Sequence, residues 1–215
     1  MFNEFISELG HQLNLDLPGR DAHQLMASSI TNFPELFEHQ GRQPSKSAVL
    51  VLLYLKNNEI YSVLIQRPQY QGHHSGQVSF PGGKTEKNDH DLTATALRES
   101  YEEIGIIPDK IRISGMLSMF FIPISNMEVY PIVGWIDETP VFKTDTNEVE
   151  AVIEYPLRFL FDPSLKKAET LTFKNLRIRA PFYDINGYHV WGATAMIISE
   201  FSRVLKNTGF FDNNE

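Results

Sequence analysis

The apolar positions of the first fifteen residues, Phe2, Phe5, Ile6, Leu9 and Leu13, recur at helical spacing and predict an amphipathic helix. Pro18-Gly19 ends it, and a second short helix is expected from Asp21 to Ser28. Residues 31–47 are polar and punctuated by Pro34, Gly41 and Pro44, which reads as mostly loop. The pattern then changes. Ser47 to Leu55 is a continuous apolar run that suits a buried strand. Asn57-Asn58 supplies a turn, and Ile60 to Arg67 reads as the hairpin partner. Gln77 to Phe80 is a short strand that leads into a turn at Pro81-Gly82-Gly83.

Further strand-like runs cover Ile111–Ile122 and Met127–Ile136, and Glu148–Leu157 reads as a strand or extended segment. The polar stretch Pro140–Asn147 between them reads as loop. Leu171 to Gly187 alternates and then turns at Asn186-Gly187. Met196, Ile197, Phe201, Val204 and Leu205 put a final helix on Gly192–Asn207, with Gly209 as its stop. Strands outnumber helices and are interleaved with them, so an α/β (α+β) fold with a mixed sheet packed by helices is expected. A length of 215 residues suits one domain, with residues 1–46 as a helical extension packed on it.

Between those strands, Leu92 to Ile104 reads as a helix with an unusual polar face. At about 100° per residue, Glu99, Glu102 and Glu103 fall within roughly 100° of arc. Ala94, Leu97, Tyr101 and Ile104 cluster opposite, as the side expected to pack on the sheet. Asp91 is the expected N-cap and Gly105 the expected stop. Like charges at this spacing cost a few tenths of a kcal/mol per pair. A solvated helix surface is one explanation. A hard cation is the other, because Mg²⁺ takes oxygen ligands from one or two carboxylates plus substrate phosphates. Gly82-Gly83 just upstream lets backbone approach a ligand closely.

The order strand, Gly-Gly, loop and R-E-x-x-E-E-x-G helix resembles the Nudix box, whose usual form is G-x5-E-x7-R-E-U-x-E-E-x-G-U with U a bulky aliphatic. Gly83, Arg98, Glu99, Glu102, Glu103, Gly105 and Ile106 match. Three departures stand out: Asp89 replaces the first glutamate, one extra residue precedes Arg98, and Ser100 takes the first aliphatic position. Upstream, VLIQRPQYQGHHSGQVSFPGG resembles the coenzyme A pyrophosphatase branch pattern L-L-T-x-R-[SA]-x3-R-x3-G-x3-F-P-G-G. Leu64, Arg67, Gly76 and Phe80 to Gly83 match, whereas Val63, Ile65, Pro68 and Gly72 do not. The segment LPGRDAHQLM and the tail Trp191 to Ala195 are similar to that branch too.

This resemblance implies a Nudix-type α/β/α sandwich that hydrolyses a pyrophosphate bond with Mg²⁺ or Mn²⁺. It assigns Glu99, Glu102 and Glu103 as metal ligands, with the Gly83 carbonyl as a further one. Arg98 would hold a box glutamate in place. Glu99, Glu148 and Glu150 are the candidates for general base. Arg67 and Lys84 are candidate phosphate contacts, against the plainer reading of surface cations. His73 and His74 read as loop residues, and Trp191 as core rather than an adenine platform. Coenzyme A or a derivative is the implied substrate, giving 3′,5′-ADP and 4′-phosphopantetheine. Another nucleoside diphosphate derivative, such as ADP-ribose or a dinucleoside polyphosphate, is the alternative, and a non-catalytic ligand sensor is a third.

Charge bears on partners. The formal net charge of −8 argues against nonspecific nucleic-acid binding, which needs phosphate-neutralising Lys and Arg. The absence of cysteine excludes disulfides and thiolate metal sites. No apolar run approaches the roughly 20 residues of a membrane span, and Met1 to Leu15 is too acidic for a signal peptide. These features predict a cytoplasmic location, and the family resemblance implies a small-molecule nucleotide-diphosphate partner, with a homodimer as a candidate assembly.

Overall fold

The computed structural model of the chain describes residues 1–29, 43–69, 76–173 and 176–211. Most of the loop expected over 31–47, together with Gly72, His73 and His74, lies outside the described residues.

Eight strands form one mixed sheet around β1 (Ser45–Lys56). β1 pairs antiparallel with β2 (Glu59–Gln66) through the turn at Asn57 and Asn58, whose φ angles of 51° and 61° suit asparagine. It pairs parallel with β7 (Met127–Trp135), and antiparallel with β4 (Gly82–Lys84). On the far side of β2 lie β3 (Val78–Ser79) and β8 (Ala151–Pro156). On the far side of β7 lie β5 (Arg112–Met116) and β6 (Phe120–Ile122). A separate three-stranded meander joins β9 (Lys166–Phe173), β10 (Leu176–Ile185) and β11 (Tyr188–Trp191).

The run read as a buried strand is buried on both faces, because the period of a strand sends alternate residues of β1 to opposite cores. Ala48, Leu50, Leu52 and Tyr54 pack under α3 (Leu92–Ile104) with Ala96 and Ile104. Val51 and Leu53 pack on the other side with Phe5 and Leu9 of α1 (Phe2–Leu13), Met26 of α2 (Gly19–Met26) and Phe201 of α4 (Gly192–Asn207). Helices on both faces of a mixed sheet make the α/β/α arrangement that was expected.

Several elements differ from the sequence reading. Gly82 and Gly83 form part of strand β4 rather than a free turn, since β1 supplies their partners Val49 and Ala48. The run Ile111–Ile122 is two strands, both paired to β7. The buried face of α3 is also rotated from the one expected. Thr95, Ala96, Ser100, Glu103 and Ile104 face inward, while Tyr101 is 55% exposed. A glutamate thus faces inward in place of a tyrosine.

Candidate functional site

The helix is set first by its ends. The Asp91 carboxylate accepts from the Ala94 N–H at 2.7 Å, and Gly105, at φ 74°, closes the last turn by donating to the Tyr101 carbonyl at 2.9 Å. The loop before β8 then docks on that turn. Lys143 N–H donates to the Ile104 carbonyl and Asp145 N–H to the Glu103 carbonyl, at 3.0 and 3.1 Å. The exposed last-turn carbonyls are satisfied, and the loop carrying Glu148 is held beside the helix.

β4 lies against the inward face of α3, and a Cβ there would meet close neighbours at two consecutive positions. A Cβ on Gly82 would lie 2.4 Å from the Ala48 carbonyl oxygen, and the φ of 149° disfavours any side chain. A Cβ on Gly83 would lie 2.4 Å from the carboxylate carbon of Glu99. The Glu99 carboxylate therefore rests on bare backbone, next to a main-chain segment that supplies the Gly83 carbonyl.

Glu103 is fully buried behind it. One of its oxygens accepts from the Gly82 N–H at 2.8 Å, and the other from Arg67 Nη2 at 2.8 Å. The same Arg67 nitrogen donates to the Gly82 carbonyl at 2.9 Å. Arg67 is thus built into the wall of the site from the end of β2. Its ion pair and the Gly82 N–H favour the charged carboxylate, but burial outweighs them. Helped by repulsion from Glu99 and Glu148, burial pushes the Glu103 carboxyl up to about 7. Glu99 is raised for the same leading reason, with Glu102 and Glu148 adding repulsion and Arg98 opposing it.

Arg98 organises the outer side. Its Nε and Nη2 grip Asp89 at 2.9 and 3.0 Å, and its Nη1 reaches Glu99 and Glu102 at 3.0 Å each. Nη2 also donates to the Lys84 carbonyl at 3.0 Å. One guanidinium therefore ties the loop, the end of β4 and two glutamates together in a planar fork. Asp89, the residue that departs from the family pattern, is the anchor of this clamp. It accepts from the Glu86 N–H and the Thr95 hydroxyl as well, and the Arg98 hydrogen bonds hold its carboxyl well below the usual range. Asp89 shapes the loop and orients Arg98. Ser100, the other departure, is buried and donates its hydroxyl to the Ala96 carbonyl at 2.7 Å.

The acidic residues thus lie side by side, though among the described residues no three His, Asp or Glu side chains already converge on one point. The donor set fits a hard cation in its chemistry. It consists of carboxylate and carbonyl oxygens on rigid elements; burial chiefly raises Glu99 and Glu103, and the repulsion that adds to it is what a divalent charge relieves. Glu148 faces this cluster closely enough to act on both glutamates. Glu150 is placed differently, since its N–H donates to the Gln66 carbonyl at 2.8 Å where β8 pairing begins. The Lys84 side chain is exposed at the end of β4. Trp191 pairs with Phe182 across β10 and β11, on the meander. Sequence reasoning missed the pairing of half-buried Arg67 with buried Glu103, because its 36-residue separation leaves no local pattern.

A mixed sheet between helices carries a glycine strand laid under an acidic helix. The NUDIX domain family profile matches residues 44–169, and the chain belongs to that family. Over 186 residues it is 31% identical to Nudix hydrolase 22, chloroplastic, of Arabidopsis thaliana, covering 82% of this chain but only 61% of that protein. It is 33% identical over 164 residues to the uncharacterized Nudix hydrolase NudL of Pectobacterium atrosepticum, covering 76% of this chain and 83% of that one. Among solved structures, a MutT/nudix family protein from Enterococcus faecalis shares the fold, with 19% identity, a TM-score of 0.50 and 82% of this chain covered.

Proposed function

We propose that the protein hydrolyses a pyrophosphate bond in a nucleotide-linked substrate, with coenzyme A or a derivative as that substrate. The observation that carries this reading is the Glu99 carboxylate seated on Gly83, beside buried Glu103 and clamped by Arg98. In this reading Glu99, Glu102, Glu103 and the Gly83 carbonyl hold Mg²⁺ or Mn²⁺. When bound, the cation offsets the charge that develops on the phosphoryl oxygens. Arg98 keeps Glu99 and Glu102 in position, and Arg67 keeps Glu103 in position from behind. Arg67 and Lys84 contribute positive charge on the phosphate side.

A water oxygen forms the new bond to phosphorus, and the bond from that phosphorus to the bridging oxygen breaks. The water proton passes to a carboxylate oxygen. Glu148 suits this role better than Glu150, because it faces Glu99 and Glu103 from a loop docked on the helix end. Glu99 remains the alternative acceptor. With coenzyme A the products are 3′,5′-ADP and 4′-phosphopantetheine.

The choice of coenzyme A rests on the match of Leu64, Arg67, Gly76 and Phe80 to Gly83 to the branch pattern and on the tail Trp191 to Ala195. Gly72, where that pattern has an arginine, favours a second reading, hydrolysis of a broader set of nucleoside diphosphate derivatives. A Mg²⁺-dependent hydrolysis screen across coenzyme A, dephospho-coenzyme A, ADP-ribose and dinucleoside polyphosphates, with product identification, separates the two. Cleavage of coenzyme A ahead of the others supports the first reading. Equal cleavage supports the second, and no cleavage of any member refutes both.

A further inference from the structure

On the α4 side of the sheet, between α2, β6 and β10, lies a second cleft of about 680 Å³, a size suited to a nucleotide. Arg20 of α2 and Arg179 of β10 line it from opposite elements, and among the described residues that line it there is no aspartate or glutamate. Both arginine residues are exposed, and neither has an acidic partner among the described residues. In a chain with a formal net charge of −8, a cleft lined by two such cations and no carboxylate concentrates positive potential locally. Its wall is apolar. Met119 is 45% exposed and Phe121 41% exposed, with Met196 of α4 beside them.

The frame of this cleft is built rather than incidental. Glu200 of α4, wholly buried, accepts from His23 Nε2 at 2.8 Å, from the Gly19 N–H at 3.1 Å and from the Ser118 N–H at 3.2 Å. One carboxylate thereby ties α2 and the segment before β6 to α4. Its two oxygens are occupied by those donors and face the frame of the cleft. Arg179 is fixed at its backbone, where its N–H donates to the Ser29 hydroxyl at 2.9 Å. Arg20, His23, Arg179 and Met196 lie outside residues 44–169, whereas Met119, Phe120 and Phe121 lie within them, so the cleft joins the family domain to the segments that flank it.

We propose that this cleft binds the phosphomonoester end of a nucleotide, with Arg20 and Arg179 gripping the phosphate and Met119 and Phe121 flanking the base. A phosphomonoester carries close to two negative charges and three acceptor oxygens, which two planar guanidinium forks from separate elements can share. A flat base suits the half-exposed side chains of Met119 and Phe121 on the apolar side of the cleft. The choice of a nucleotide rests on the reading of the protein as a nucleotide pyrophosphohydrolase; the phosphate site itself rests on the two arginine residues.

The test uses the full chain in EDTA, to suppress metal-bridged binding near Glu99, with adenosine 3′,5′-bisphosphate as the calorimetric probe. Wild type is expected to bind it, and Arg20→Gln/Arg179→Gln to bind at least tenfold more weakly with an unchanged Tm. The single Arg20→Lys and Arg179→Lys variants, which keep the charge but lose the fork, should fall between. A double variant that binds as wild type does, or a wild type that does not bind, overturns the proposal. The ratio of kcat/KM for coenzyme A over dephospho-coenzyme A then tells the source of the phosphate. A ratio that falls in the double variant assigns it to the substrate; an unchanged ratio with lost binding assigns it to a separate nucleotide, and both support the site. If the hydrolysis screen is blank while binding and its loss persist, the hydrolase reading falls and the cleft assignment stands.

Discussion

Gly83→Ala isolates the contact between β4 and the acidic helix. The new Cβ would sit 2.4 Å from the carboxylate carbon and Oε1 of Glu99 and 2.5 Å from Oε2. Ordinary contact begins near 3.4 Å, so the carboxylate has to retreat by about 1 Å. The group that must move is the end of a flexible side chain, and Gly83 has no left-handed backbone angle to strain. Folding should therefore change little. Turnover should not survive so well, since a displacement of about 1 Å at a reacting or metal-holding group costs on the order of a hundredfold, or about 2.7 kcal/mol of barrier. Gly82→Ala is the control. Its Cβ meets backbone at 2.4 Å and its φ is 149°, so it should destabilise the fold by about 2–4 kcal/mol. Thermal melts in EDTA and steady-state kinetics with Mg²⁺ separate the two. A Gly83→Ala protein with wild-type kcat/KM, or one as destabilised as Gly82→Ala, would refute the argument that this glycine exists to seat Glu99.

The metal-free protein should be more stable near pH 5 than near pH 8, by up to about 3 kcal/mol from Glu103 alone, because its carboxyl is raised in the fold to about 7. That contribution is complete below the unfolded value and is lost as pH rises through about 7. Urea melts in EDTA should show this slope in wild type and a flatter one in Glu103→Gln; matching slopes would count against the buried glutamate as its source. Mg²⁺ should raise Tm more at pH 8 than at pH 5, since the cation competes with protons for the same carboxylates, and a shift independent of pH would argue for binding elsewhere. Asp89→Ala releases the Arg98 fork and should cost about 1–3 kcal/mol while lowering kcat; unchanged stability and kcat would show that Arg98 needs no anchor.

The second half of the acidic motif was legible because its chemistry is local. Arg98, Glu99, Glu102 and Glu103 fall within two turns of one helix, and Asp91 and Gly105 cap it as the residue types require. The same applies to β1 and to α4, whose apolar spacing states which sides are buried. What the sequence hid depends on partners far along the chain. A helical wheel placed Tyr101 inside and Glu103 with the exposed acids. β4 reverses this by offering the Gly82 N–H, with Arg67 behind it, to a buried carboxylate. The role of Asp89 was obscured because the extra residue in the loop breaks the motif spacing, although the Arg98 fork restores the geometry. Glu148 and Glu150 could not be told apart until the pairing of β8 with β2 fixed where the strand begins.

Turnover of coenzyme A by Glu103→Gln in saturating Mg²⁺, with products resolved, bears most directly on the assignment of the buried glutamate to a pyrophosphate-cleaving metal centre. The change removes a charge and keeps the volume, leaving Arg67 and Gly82 with an amide in place of a carboxylate. Wild type should release 3′,5′-ADP and 4′-phosphopantetheine, and the variant should do so at least about a hundredfold more slowly while remaining folded. A folded Glu103→Gln protein with near-normal turnover would contradict that assignment.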